Sequence, residues 1–331
     1  MAILGLDIGG ANLKAATADG RAASVPFALW KHPQRLPAAL AELVARFPDA
    51  TELAVTMTGE LCDCFETKRD GVNAILDAVG AAGVAARVWT TDGVFAEVPT
   101  ARANHLKVAA ANWHALAAFA GRFAPHPGAM LLDIGSTTSD LIPLNHGVPA
   151  TFGTTDDGRL RHHELVYAGV RRTPVSAVYQ DRVAAEYFAS TQDVYVVLGR
   201  IPEESENRDT ADGRPATVEY SLARLARMLG GDRETLPDDA VIDFAVRVHS
   251  ALVRRLSEAA RAAYYASADS PPLSGVIVSG AGEFLARRAA EEAFVDLPRA
   301  AVVSLTDQLG PEVSACAPAF AVAVLAGETV A

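Results

Sequence analysis

Two stretches of this chain carry the residue types for binding phosphate and a hard cation. The first is "LGLDIGGANLKAATADG" from residue 4; the second is "LLDIGSTTSDLIPL" from residue 131. Each reads as an apolar strand ending in a carboxylate, a small polar turn, and a second apolar strand. In the first, Asp7 precedes Gly9 and Gly10, and Asn12 and Lys14 open the return strand. In the second, Asp133 precedes Gly135, Ser136, Thr137 and Thr138, and Asp140 follows. Glycine lets a tight turn expose its amides, and exposed amides form an anion nest. A strand-end carboxylate suits a hydrated Mg²⁺, which takes one or two carboxylates plus phosphate oxygens. Either copy alone is an ordinary β-hairpin. Two copies facing across a cleft would grip a polyphosphate from both sides, with Asp7, Asp133 and Asp140 as the metal-binding set.

A third segment adds to the pair. In "VIVSGAGEFL" an apolar strand meets Gly280 and Gly282 and then a helix. Small residues there let a phosphorylated or planar ligand approach the backbone, facing a helix N-terminus.

The elements that must position these groups are legible from periodicity. Strands are expected over 2–7, 12–18 and 23–30, a helix after Pro33, and a strand through "ELAVTMTG" ending at Gly59. A helix then covers "GVNAILDAVGAAG", a strand "ARVWTTDG", and one Ala-rich helix "VAAANWHALAAFAGRF". "APHPG" breaks the pattern and marks a boundary, giving lobes of 1–125 and 126–331. The second lobe restarts with strands at 130–134, 138–143 and 149–152. A polar insertion of about 153–215 follows, irregular at first; within it "DVYVVLGRI" suits strand or helix. Helices through "VEYSLARLARMLGGD" and from Asp238 to Ser267, a strand–turn–helix around Gly280, a strand "AAVVSL" and a last helix after Pro311 complete the chain. Strands alternating with helices indicate an α/β class. The hairpin pair is the internal repeat.

Composition bounds the function. The 331 residues, half of them apolar, suffice for two lobes. A net charge of −11 argues against nucleic acid and anionic membranes as partners. Three cysteines and no secretory pattern read as a reduced, cytoplasmic protein. Cys62 and Cys64 have neither redox nor zinc spacing. The Ala-rich helices suit the core or a homodimer interface.

The two "DIG" hairpins with the late Gly turn resemble the actin, Hsp70 and sugar-kinase superfamily of ribonuclease-H-like folds, along nearly the whole chain. The resemblance implies two similar lobes, a central cleft and a Mg²⁺-phosphate ligand. "VTMTGEL", "KRDGV", "ELVYAGVRRTP" and "DTADGRPAT" are similar to the motifs of a hydantoinase/oxoprolinase-related subgroup tied to tetrahydromethanopterin-linked one-carbon transfer. That likeness implies an aryl ether synthesis in methanofuran or methylofuran formation. An aminomethylfuran-methyl diphosphate is joined to the phenol of γ-glutamyltyramine, or of tyrosine or a derivative, releasing diphosphate. ATP is not required in that reading, and the partners are these small molecules. The same hairpins would also serve an ATP-dependent kinase or ring hydrolase, or a nucleotide-binding regulatory protein.

On that reading Gly9, Gly10, Asn12, Lys14 and Gly135 to Thr138 cradle diphosphate, and Gly280 and Gly282 line the cleft. A phenol of pKa about 10 is ionised only to about one part in a thousand at neutral pH, so a base is needed. Glu60, beyond the strand "LAVTMTG", is the expected base, with Thr58 beside it. Arg171 and Arg172 would clamp phosphate or a substrate carboxylate. Tyr167 would stack on an aromatic substrate, and Asp209, Asp212 and Arg214 lie in a polar loop without a visible structural task. Adjacent His162 and His163 point different ways in an extended segment. The subgroup carries Gly where His163 stands.

Overall fold

The computed structural model describes residues 2–124, 127–266, 270–296, 298 and 301–329. The boundary expected between 125 and 126 lies outside the described residues, as does the expected end of the long helix at Ser267.

The first half runs β1 (Ala2–Ile8), β2 (Asn12–Thr17), β3 (Ala22–Pro26), α1 (Leu36–Val44), β4 (Ala50–Met57), α2 (Lys68–Gly80), β5 (Ala85–Trp89), β6 (Phe95–Glu97), α3 (Val98–Ala103), α4 (His105–Val108) and α5 (Asn112–Ala120). The second half runs β7 (Gly128–Ile134), β8 (Ser139–Asn145), β9 (Val148–Pro149), α6 (Asp156–Arg161), β10 (Leu165–Val166), α7 (Val175–Val178), α8 (Thr191–Val197), α9 (Val218–Met228) and α10 (Asp238–Tyr264). It continues with β11 (Leu273–Ser279), α11 (Glu283–Ala293), β12 (Val302–Ser304), α12 (Leu305–Leu309), α13 (Pro311–Ala315) and α14 (Ala317–Glu328).

Two sheets repeat one topology. The first has the order β3-β2-β1-β4-β5-β6, the second β10-β8-β7-β11-β12 with β9 added to β8. In each, the opening hairpin is antiparallel and the central pair, β1 with β4 or β7 with β11, is parallel. This is a ribonuclease-H-like arrangement occurring twice. The outer faces are covered by helices over separate cores, one around Leu4, Leu6, Ile75 and Leu40, the other around Leu132, Phe244 and Leu285.

Between the sheets lie α5 and α14. Helix α14 packs on β1, β2 and β4, and against α5, which reaches β7 and β8. Their contact is built from small residues, Ala115, Ala319 and Ala326 among them, with Phe119 edge-on to Phe320 at 5.3 Å. Alanine allows the close helix approach that this layer needs. The last helix therefore covers the first sheet, although it belongs to the second half in sequence.

Several local expectations change. The Ala-rich helix begins only at Asn112, because Ala110 adopts φ 48° between the end of α4 at Val108 and the start of α5. The strand expected to reach residue 30 ends at Pro26, where the chain turns. The ambiguous "DVYVVLGRI" is helical, and the Asp193 carboxylate accepts from the Ser190 amide at 2.9 Å to fix its start. Strand β6 and helix α3 had no sequence expectation. No helix among the described residues is long and apolar enough to cross a membrane.

Candidate active site

The two hairpin turns close alike. The Gly9 amide donates to Asn12 O at 3.0 Å, and the Gly135 amide to Thr138 O at 2.9 Å. Strand register then sets up two equivalent rows. In the first sheet Thr56, Asp7 and Lys14 stand side by side on β4, β1 and β2; in the second, Ser279, Asp133 and Asp140 stand on β11, β7 and β8. Neighbours in register point to the same face of a sheet. These faces look toward the layer between the lobes.

The rows meet. Asp133 is pushed up to about 7, first by burial and then by the negative charge of Asp140; Lys14 and Asp7 also act on it. Asp7 is buried and raised from the usual carboxylate range by desolvation, with Lys14 opposing. Among the described residues Asp7 Oδ1 and Thr56 Oγ1 are buried without a hydrogen-bond partner, whereas the Ser279 hydroxyl leans on Asp133 and lowers its proton affinity. Buried polar atoms left without partners are unusual, and this cluster sits where a ligand would complete it. Gly280, at φ 86°, is held so near that a Cβ there would lie 2.7 Å from Asp133 Oδ1.

The metal set changes. Asp140 Oδ1 accepts from Arg159 Nη2 at 2.5 Å. Arg159 is 1% exposed, donates also to Glu164 O at 3.0 Å and lies over the Trp113 ring at 4.2 Å. Asp140 is thus engaged as the counter-ion of a buried arginine. Among the described residues no three His, Cys, Asp or Glu side chains stand close enough to hold one ion. Asp7 and Asp133 remain as the pair that fits Mg²⁺, since one or two carboxylates satisfy that ion with phosphate and water. Asp7 Oδ1, lacking any donor, is the atom whose chemistry asks for it.

Glu60 lies beyond β4 and is 1% exposed. Its Oε2 has no hydrogen-bond partner among the described residues. Burial pushes its carboxyl up to about 7, against the positive charge of Lys68 and with the negative charge of Asp156. Tyr167 is half exposed at the same place, and its hydroxyl is raised by burial and by Asp156, Glu60 and Asp140. Thr58 is placed beside the first turn: its Oγ1 lies 3.4 Å from where a Cβ on Gly9 would stand.

The arginine pair divides. Arg171 donates to Glu204 at 2.7 and 3.0 Å and to Gln192 at 3.2 Å, so it tethers its own lobe. Arg172 has no carboxylate partner among the described residues and lies 4.8 Å over the Trp30 ring of the other lobe. Both amides donate to Ser136 O at 3.0 Å, so the loop 168–173 roofs the second turn. A Cβ on Gly169 would stand 2.5 Å from Gly135 O. Asp212 has a structural task after all. It binds the buried Arg224 at 2.9 Å, which also meets Asp193 at 2.7 Å. Arg214 lies 3.9 Å from Asp212, and the Asp209 amide donates to Asn207 Oδ1 at 2.9 Å. These three order their loop. Gly282 is buried against Ile134 and Val170, a packing role. His162 stacks on Phe152 at 5.3 Å, and His163 has φ 60°, the conformation in which the subgroup's glycine is favoured.

Sequence reasoning missed Thr56, Ser279, Trp30, Lys68, Asp156 and Arg159. For the first two a signal existed. "TMTGE" at 56–60 and "SGAGE" at 279–283 share a hydroxyl, a Gly three residues on and then Glu, a second internal repeat.

The duplicated sheets, and the carboxylate rows that meet between them, define a two-lobed, actin-like α/β protein. The profile of the Hydantoinase/oxoprolinase family matches residues 52–326, and the chain belongs to that family. It is 35% identical to the (4-{4-[2-(gamma-L-glutamylamino)ethyl]phenoxymethyl}furan-2-yl)methanamine synthase of Methanocaldococcus jannaschii, over 98% of this chain and 97% of that one. A synthase of the same name from Methanococcus vannielii is 32% identical over 59% of this chain and 89% of its own. Among solved structures, nucleotide-free acetone carboxylase shares the fold at TM-score 0.54 and 12% identity, covering 97% of this chain and 70% of that one.

Proposed function

We propose that this chain is an ether synthase of the same kind as its relatives. It joins an aminomethylfuran-methyl diphosphate to the phenol of γ-glutamyltyramine, or of tyrosine or a derivative, and releases diphosphate. The observation that carries the reading is the 35% identity sustained over 98% of the chain. The cleft supports it with chemistry.

The phenol oxygen attacks the furan methylene carbon; the carbon–oxygen bond to diphosphate breaks, and diphosphate leaves with the bonding pair. The turn amides at Gly10 and Ser136 to Thr138, with Lys14 and Arg172, surround the leaving group, while the Gly9 and Gly135 amides close the two turns that present them. Donors fixed toward developing charge lower the barrier more than they stabilise the substrate. Mg²⁺, held by Asp7 and Asp133, would add Lewis-acid stabilisation of the same charge. Glu60 takes the phenolic proton: its raised affinity for a proton near neutral pH, and its unpartnered oxygen, suit a general base. Tyr167 beside it presents an aromatic face for the phenol. No ATP enters this sequence.

The test incubates the purified protein with the furan diphosphate, Mg²⁺ and either γ-glutamyltyramine or tyrosine, with and without ATP, and follows ether and diphosphate by mass spectrometry. The expected result is ether and diphosphate in equal amounts without ATP. Product formed only with ATP, or none from either phenol, overturns the reading.

A further inference from the structure

Helix α2 begins with Lys68, and α6 begins with Asp156. The first comes from one lobe and the second from the other. Thr67 caps α2, its hydroxyl accepting from the Asp70 amide at 3.1 Å; Thr155 caps α6, accepting from the Gly158 amide at 3.3 Å. Both side chains are therefore placed by well-formed helix starts. Their ends meet: Lys68 Nζ lies 2.8 Å from Asp156 Oδ2, both partly buried.

Asp156 suits a helix N-terminus, but Lys68 does not, because the helix dipole disfavours a cation there. Its placement needs another reason, and Glu60 provides one. Helix α2 rests directly on Glu60, so close that a Cβ on Gly71 would stand 2.1 Å from Glu60 O. The charged or titratable groups facing Glu60 are Lys68 from α2, Asp156 from α6, Tyr167 from the loop after β10 and Cys62 from its own loop; the Ala110 backbone closes the remaining side. One buried carboxylate oxygen without a partner thus stands beside an ion pair made across the lobes.

We propose that Lys68 and Asp156 are positioning residues: their pair, made between the lobes, sets the charge state of Glu60 and readies it to accept the phenolic proton. The inference rests on Glu60 being the base. With the pair intact, the two charges oppose each other at Glu60. Without Lys68, Asp156 faces Glu60 as an uncompensated anion and holds its proton on. Without Asp156, Lys68 is freed toward Glu60 Oε2 and favours the carboxylate. The two single variants therefore act in opposite senses, which a plain tether between lobes would not do.

The experiment titrates Glu60 directly by carbon NMR of protein labelled at glutamate side-chain carboxyls, the signal assigned by its loss in Glu60→Gln. Lys68→Met is expected to raise the midpoint by about one unit, Asp156→Asn to lower it by about as much, and the double variant to return near the parent. Lys68→Arg keeps the pair and the midpoint. If Lys68→Met does not fold, the downward shift in Asp156→Asn carries the test. Midpoints unmoved, or moved in one direction by both substitutions, overturn the inference. The acid limb of kcat/KM, measured in parallel, separates the two readings. Midpoints that shift while the limb stays put leave the pair in place and remove Glu60 as the base.

Discussion

The two halves of this molecule build the same backbone device and fill it with opposite charges. Where the first sheet places Lys14 beside Asp7, the second places Asp140 beside Asp133. The first half thus supplies its own cation within the row. The second creates an acid pair and takes a cation from outside it, Arg159 on α6. The contrast recurs four residues beyond each row's hydroxyl. Glu283 is satisfied by Ser304 and Thr306 at 2.6 to 3.0 Å, whereas Glu60 has a bare oxygen. Duplication fixes where side chains stand; charge and partners then differ between the copies. In one Glu the carboxylate joins a helix to a strand, and in the other one oxygen is left unpartnered among the described residues.

The strongest way to break the comparison is at the borrowed cation. Arg159→Met leaves Asp140 buried without a counter-ion beside Asp133, and should cost about 3–5 kcal/mol of stability. Lys14→Met removes a half-buried lysine that is in no close ion pair among the described residues; it should cost about 1 kcal/mol or less while lowering activity. Denaturant unfolding of both proteins checks the difference. Equal losses would mean that the halves are not charged differently in any way that matters.

Glu60 gives the next largest effect, with a definite sign. Its carboxyl titrates near 4.5 in the unfolded chain and near 7 in the folded protein. The folded state binds this proton more tightly. Stability from the group is complete below pH 4.5 and is lost as pH rises through 7. Glu60→Gln should therefore be more stable than the parent at pH 8, by up to about 3 kcal/mol, with the gap closing by pH 4.5. Melting curves across that range measure it. Glu283→Gln should show no such gain, because its carboxylate is fully hydrogen-bonded.

The smallest contrast lies in the turns. The second is roofed by backbone: a Cβ on Gly169 would meet Gly135 O, Ser136 C and Thr137 N at 2.5 to 2.6 Å. Over the first, a Cβ on Gly10 would meet only the Cys62 sulfur, at 2.7 Å. Gly169→Ala should cost about 1–3 kcal/mol, and Gly10→Ala less, since a side chain can turn away and a loop backbone cannot. Calorimetric melting of the two variants ranks them.

Much of this was legible in the sequence where the information is local. Apolar runs closed by glycine gave the hairpins, and with them Asp7, Asp133 and the turn residues. Glu60 was reachable because it follows a strand directly. What escaped depends on distant packing. Arg159, Lys68, Asp156 and Trp30 matter because elements from opposite lobes meet, and no short-range period encodes that. Helix α14 is apolar all round, so its pattern could not say which sheet it covers. Asp212 lacked a visible task because its partner Arg224 lies on α9, beyond the loop. The split at Ala110 runs against the helical preference of alanine, and tertiary packing prevails there.

The central claim is that Asp7 and Asp133, one from each lobe, hold a magnesium-bound diphosphate. Titration calorimetry with Mg²⁺ and inorganic diphosphate on the parent, Asp7→Asn and Asp133→Asn tests it most directly. Binding by the parent that depends on Mg²⁺ and weakens at least about 100-fold in each variant is the predicted result. Diphosphate bound equally well by all three proteins, with or without the metal, would contradict it.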